Sequence, residues 1–195
     1  MRFPIAVCAI FHVLTSQALV LPSACENAFR RALDADAAWR MERRIEGTDK
    51  TLVSTGIVSC AAKKGIVWDV RFPFRETVTM TTNSIVFADD ESVRVKTLSE
   101  LPHYESFRRL CDDFMDGDAE SFDDVFKTEV RIGSNGVWKV VFKPSMRRMR
   151  RLLSEIEVSG VEKISNVVIR TGDGTCSRIE FAEIAPGAHS LWKGE

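Results

Sequence analysis

The chain has 195 residues, with 27 Lys and Arg against 28 Asp and Glu, for a net charge of -1. That balance excludes attraction to nucleic acid by bulk charge. The length fits one domain with a sizeable core once an N-terminal leader is set aside.

The leader comes first. Arg2 precedes a mostly apolar run to Leu21, interrupted by His12, Thr15, Ser16 and Gln17 and followed by Ser23 and Ala24. This is the pattern of a signal peptide over 1–24, cut after Ala24, and the polar interruptions disfavour a transmembrane anchor. Removing 24 of the 195 residues leaves a 25–195 chain, read as one domain without linker or internal repeat. Cys25, Cys60, Cys111 and Cys176 remain, and an oxidising compartment allows them three pairings between which the sequence does not choose.

Beyond the leader, Phe29, Ala32 and Leu33 have helical spacing and predict a short helix over 26–36. From Ala37 the period becomes two: Ala37, Trp39 and Met41 alternate with Arg40, Glu42 and Arg44, predicting a half-buried strand over 37–44. Further strands are predicted over 51–61, 66–72, 77–81, 84–87 and 93–97, and the short connections make them antiparallel neighbours.

The pattern then changes. Tyr104, Phe107, Leu110, Cys111, Phe114 and Met115 recur at three and four, predicting a helix over 102–115 that Pro102 opens and Gly117 ends. Asp118 can cap a second helix whose apolar face is Ala119, Phe122, Val125 and Phe126. Strands resume over 129–132 and 137–143, joined at Ser134-Asn135-Gly136, where Asn-Gly accepts the positive φ of a tight hairpin turn. After a loop over 144–151 come strands over 153–159, 166–171 and 176–184. A sheet of about nine or ten strands must curl, because strand twist accumulates. The two helices can cover the concave face, enclosing either a packed core or a lipid pocket.

Several local patterns resemble the LolA family of periplasmic lipoprotein carriers. They are Trp39-Arg-Met41, the strand Leu52-Val-Ser-Thr-Gly56-Ile-Val58, Gly65-Ile-Val-Trp68 followed by Pro73-Phe74, and Trp138-Lys-Val-Val-Phe-Lys-Pro144 paired with a strand at 156–158. The resemblance implies a mainly β fold with a helical insertion: an incomplete, strongly curved antiparallel β-barrel covered by an α-helical lid at about 101–127. It further implies a monomeric periplasmic carrier that shields acyl chains of lipoproteins or related lipids between the inner and outer membranes. Cargo would come from an inner-membrane transporter and pass to an outer-membrane acceptor. Where the family carries an Arg-Pro pair that locks the lid, this chain has Lys63-Lys64-Gly65, and lysine lacks the planar fork of arginine.

The candidate lipid lining is Trp39, Met41, Val58, Trp68, Val70 and Phe72 from the early strands, with Phe107, Leu110, Phe114, Phe122 and Phe126 from the helices and Phe142 from a later strand. Arg147, Arg148, Arg150 and Arg151, interleaved with Met146 and Met149, form a candidate basic rim for an anionic headgroup or an acidic partner. Leu21-Pro-Ser-Ala-Cys25 is similar to a bacterial lipobox, although Pro22 stands where leucine is expected. The alternative function is therefore a membrane-tethered receptor or assembly factor acylated at Cys25.

Bond chemistry has little support. His103 and His189 lie in no nucleophile or metal pattern, so neither an enzyme nor a cofactor is expected. The run Asp112, Asp113, Asp116, Asp118, Asp123 and Asp124 fails as a calcium loop, since placing Gly117 sixth puts Phe114 at the third, ligating position.

Overall fold

Alternation with β-branched and aromatic residues on one parity makes a strand when that parity finds a partner face. The computed structural model describes residue 28 and residues 36–61, 65–81, 84–97 and 126–184. The first half holds β1 (Asp36–Arg44), β2 (Thr51–Ala61), β3 (Gly65–Phe72), β4 (Glu76–Met80), β5 (Ser84–Ala88) and β6 (Val93–Thr97). The second holds β7 (Phe126–Ile132), β8 (Trp138–Pro144), a four-residue helix α1 (Arg147–Arg150), β9 (Leu153–Gly160), β10 (Ile164–Thr171) and β11 (Cys176–Glu183).

All eleven strands form one sheet in the order β6-β5-β4-β3-β2-β1-β11-β10-β9-β8-β7. Each half is a meander, as short turns dictate. The halves join at an antiparallel seam between β1 and β11, running from Ala37↔Glu183 to Arg44↔Cys176. The turns behave as their sequences require: Gly136 sits at φ 76° in the Asn135-Gly136 hairpin, and Asp173 Oδ1 accepts from Thr175 N at 3.0 Å across the β10–β11 turn.

The expected barrel with a helical lid is corrected by this architecture. The described residues are almost entirely antiparallel sheet, and apart from Ala28 their helical content is α1. The predicted helices fall largely on residues 98–125, outside the described residues, as do Lys63 and Lys64. Where the second predicted helix enters the described residues, at Phe126, the chain is already β7. The physical reason is a competition of periods. Helical spacing stops at Phe126, while Thr128, Val130 and Ile132 continue from it at period two. Phe126 pairs with Pro144 in register and buries its ring at 6.4 Å from that of Phe142. Likewise Asp36, expected at the end of a helix, opens β1 opposite Ser59.

Candidate functional site: the apolar face of the sheet

Register assigns each side chain to a face. Met41 lies opposite Ser54 and Ile179, Trp39 opposite Gly56 and Phe181, and Trp68 opposite Val58 and Val78. The same face continues through Val167, Val158 and Val140 to Val130. It forms one core cluster that reaches from Ile85 on β5 to Phe126 on β7. An apolar stripe therefore crosses nearly the whole sheet.

At its middle, aromatic rings from strands three places apart lean together. In a flat sheet β3 and β11, three places apart, would be separated by about 14 Å. Yet the rings of Trp68 and Phe181 approach to 6.4 Å, and those of Trp39 and Trp68 meet edge-on at 5.3 Å. Gly56 makes the hollow that permits this. A Cβ there would stand 2.8 Å from Trp39 Cζ2 and 2.0 Å from the Asp69 carbonyl oxygen. The same device recurs in the second half, where Trp138 lies opposite Gly160 and a Gly160 Cβ would stand 3.0 Å from its Cζ2. The Trp138 indole N–H donates to the Val161 carbonyl at 2.6 Å, so its one polar atom is satisfied.

The opposite face is a lattice of charge. Lys139 pairs with Glu157 at 2.8 Å, Lys143 with Glu129 at 3.0 Å and Arg71 with Asp69 at 3.0 Å. Val141 and Val168 are buried on this face, each opposite Glu157 in register. Apolar stems of long charged residues provide such cover.

Of the predicted lining, Trp39, Met41, Val58, Trp68, Val70, Phe126 and Phe142 belong to the buried cluster. Phe72 does not: a register shift between Thr55 and Gly56 precedes its pairing, and its side chain is 55% exposed beside the cis Phe72–Pro73 bond. Phe107, Leu110, Phe114 and Phe122 lie outside the described residues. Sequence reasoning missed Ile179, Phe181, Val140 and Val158. Their alternation was visible, but their place beside Trp39 and Trp68 depends on the β1–β11 seam. Arg147 and Arg150 project from α1 and are exposed, as is Arg151 after it; Arg148 is on the same turn. Cys176 is a free, half-buried thiol that accepts from Arg170 at 3.2 Å.

Among the described residues, four surface carboxylates titrate below their usual range. Asp89 is lowered by the backbone N–H groups of Glu91 and Ser92, Glu129 by Lys143, Asp173 by the Thr171 hydroxyl and then Thr175 N–H, and Glu183 by Lys163. A depressed carboxylate stabilises fully above its unfolded pKa, and that stability is lost as pH falls through the folded value. Stability should therefore decline below about pH 4. Denaturant midpoints against pH check this: added salt should shrink the contribution of ion-paired Glu129, measured with Glu129→Gln, more than that of the turn-capping Asp89, measured with Asp89→Asn.

No family model matches the chain. No curated protein matches it either. Among solved structures, a chain of the Pseudomonas aeruginosa MucA/MucB complex aligns with a TM-score of 0.43 and 9% identity, covering 83% of this chain and 56% of that one. This chain thus spans little more than half of that neighbour's length. A DUF1329 family protein from Desulfovibrio piger aligns with a TM-score of 0.35 and 12% identity over 95% of both chains. A Vibrio parahaemolyticus domain named for outer membrane lipoprotein sorting aligns with a TM-score of 0.34 and 9% identity, over 79% of this chain and 87% of that one. These likenesses are partial.

Proposed function

We propose that the protein is a periplasmic carrier that holds acyl chains of a lipoprotein or related lipid against the apolar face of its sheet and performs no bond chemistry. One observation supports the reading above the rest: a single sheet carries a continuous apolar stripe, with the rings of Trp39, Trp68 and Phe181 converging at its middle and a charged opposite face.

The energetics suit carriage. Each methylene taken from water gains about 0.8 kcal/mol. A chain of ordinary length would bind too tightly for transfer if the face were bare. Here the indoles already bury one another, so an incoming chain exchanges contacts and the net affinity falls by what it displaces. The space over Gly56 is taken by the edge of the Trp39 indole, which can move without breaking the ladder. Cargo would arrive through an inner-membrane transporter and leave to an outer-membrane acceptor, and the leader over 1–24 would deliver the carrier to the compartment between them.

The test is contact quenching. A brominated acyl chain bound on this face lies against Trp39 and Trp68 and should quench their emission saturably, whereas a short-chain brominated acid should not. Quenching that is equal for both sinks the carrier reading.

A further inference from the structure

Antiparallel topology gathers particular turns at one end of the sheet. The β1–β2 turn, the β3–β4 turn, α1 and the β10–β11 turn all lie at the end where β1, β3, β8 and β10 finish. The β1–β2 turn, the segment after α1 and the β10–β11 turn are linked in space, and the β3–β4 turn stands farther along the same end of the sheet. Gly172 N donates to the Leu152 carbonyl at 3.3 Å, and the Glu46 side chain stands where a Gly174 Cβ would otherwise project. This rim carries large apolar side chains that the fold leaves in solvent: Phe72, Phe74, Met146 and Leu152, of which Phe74 is 70% and Leu152 60% exposed.

Arg75, Arg147, Arg150 and Arg151 are exposed and make no ion pair among the described residues; on the strands Lys139, Lys143 and Arg71 are each held by a carboxylate, while Arg44, Lys127 and Arg178 are not. Of the carboxylates at this end, Asp173 is turned into its own loop by the Thr171 hydroxyl and the Thr175 N–H, whereas Glu46 and Asp49 of the β1–β2 turn and Asp89, Asp90 and Glu91 of the β5–β6 turn are exposed. Met149 fixes the orientation of α1 by packing against the core, and Arg147 and Arg150, three apart on this single turn, are exposed. Exposed Phe and Leu beside unpaired Arg is the composition that partitions into the headgroup layer of an anionic bilayer, apolar groups entering and guanidinium groups meeting phosphate.

We infer that this rim is a docking surface for an anionic phospholipid membrane, with Phe74 and Leu152 as its inserting residues and Arg75, Arg147, Arg150 and Arg151 as its headgroup contacts. The inference does not require the carrier reading, because it concerns the outer end of the sheet and not its apolar face. Docking there would hold the protein at a bilayer by two signals, apolar insertion and charge, each too weak alone.

Vesicle flotation of the mature chain tests it. Phosphatidylglycerol–phosphatidylethanolamine vesicles should carry the protein, phosphatidylcholine vesicles should carry much less, and salt should release it. Arg75→Ser, Arg147→Ser, Arg150→Ser and Arg151→Ser together should lower anionic-vesicle binding by more than about tenfold. Phe74→Ser with Leu152→Ser should lower binding to the same vesicles while leaving its salt dependence intact. Circular dichroism establishes that each variant is folded; if one is not, Phe74→Ser alone, on an exposed turn, replaces it. Equal binding to anionic and neutral vesicles, no binding to either, or folded variants that bind like the parent would each overturn the inference.

Discussion

Gly56→Ala is expected to cost about 3 kcal/mol or more, enough to unfold a marginal domain. The glycine is not there for an unusual backbone angle. It is there for space: the added Cβ would meet the Asp69 carbonyl oxygen at 2.0 Å and Trp39 Cζ2 at 2.8 Å. The indole can shift. The carbonyl cannot, because it belongs to β3, whose register with β2 already changes beside Gly56. Relief therefore needs the β2–β3 ladder to open. Gly47→Ala is the control, since Gly47 has φ 75° and no atom within 4 Å of an added Cβ; it should cost only about 1–2 kcal/mol for the left-handed conformation. Urea midpoints for the two variants check the order. A Gly56→Ala protein as stable as Gly47→Ala would mean that the hollow is not a close contact.

Trp68→Ala should lose about 3–5 kcal/mol. The side chain is 1% exposed and packs against both Trp39 and Phe181, so truncation leaves a void bordered by residues of the two strands that form the seam. Collapse into that void would need β1 and β11 to move together, which limits relaxation. Phe74→Ala, on a ring 70% exposed, should change stability by less than about 0.5 kcal/mol. Thermal or urea unfolding of the pair distinguishes a cluster that braces the seam from aromatic residues that merely occupy it.

Much of the sheet was legible because period two survives in single sequences. The alternation of Ala37, Trp39 and Met41 places β1 within a residue of its observed start, and 51–61 and 93–97 coincide with β2 and β6. Asn135-Gly136 marked its hairpin for a stereochemical reason that no tertiary contact could override. What alternation does not encode is which strands become neighbours across a long loop. The β1–β11 seam brings Phe181 to Trp68, and nothing local to Ile179-Glu-Phe181 announces it. Phe72 shared the parity of Trp68 and Val70, but parity is interrupted at a register shift, and the ring ended in solvent. Phe126 satisfied two periods at once. Pairing with β8 settled the choice, replacing the last turn of the predicted helix with the first residue of β7. The four arginines were visible as a cluster, whereas α1 and the inward anchor Met149 required the third dimension.

The central claim is that an acyl chain occupies the apolar face at the Trp39–Trp68 contact. Its most direct measurement is tryptophan emission during titration with a long-chain brominated fatty acid, compared between the parent protein and a variant carrying Trp138→Phe and Trp192→Phe, whose remaining tryptophans are Trp39 and Trp68. Saturable quenching in both proteins, abolished by excess unbrominated chain, is the result this account predicts. Emission that is unaffected, or quenching that the unbrominated chain does not reverse, would contradict it.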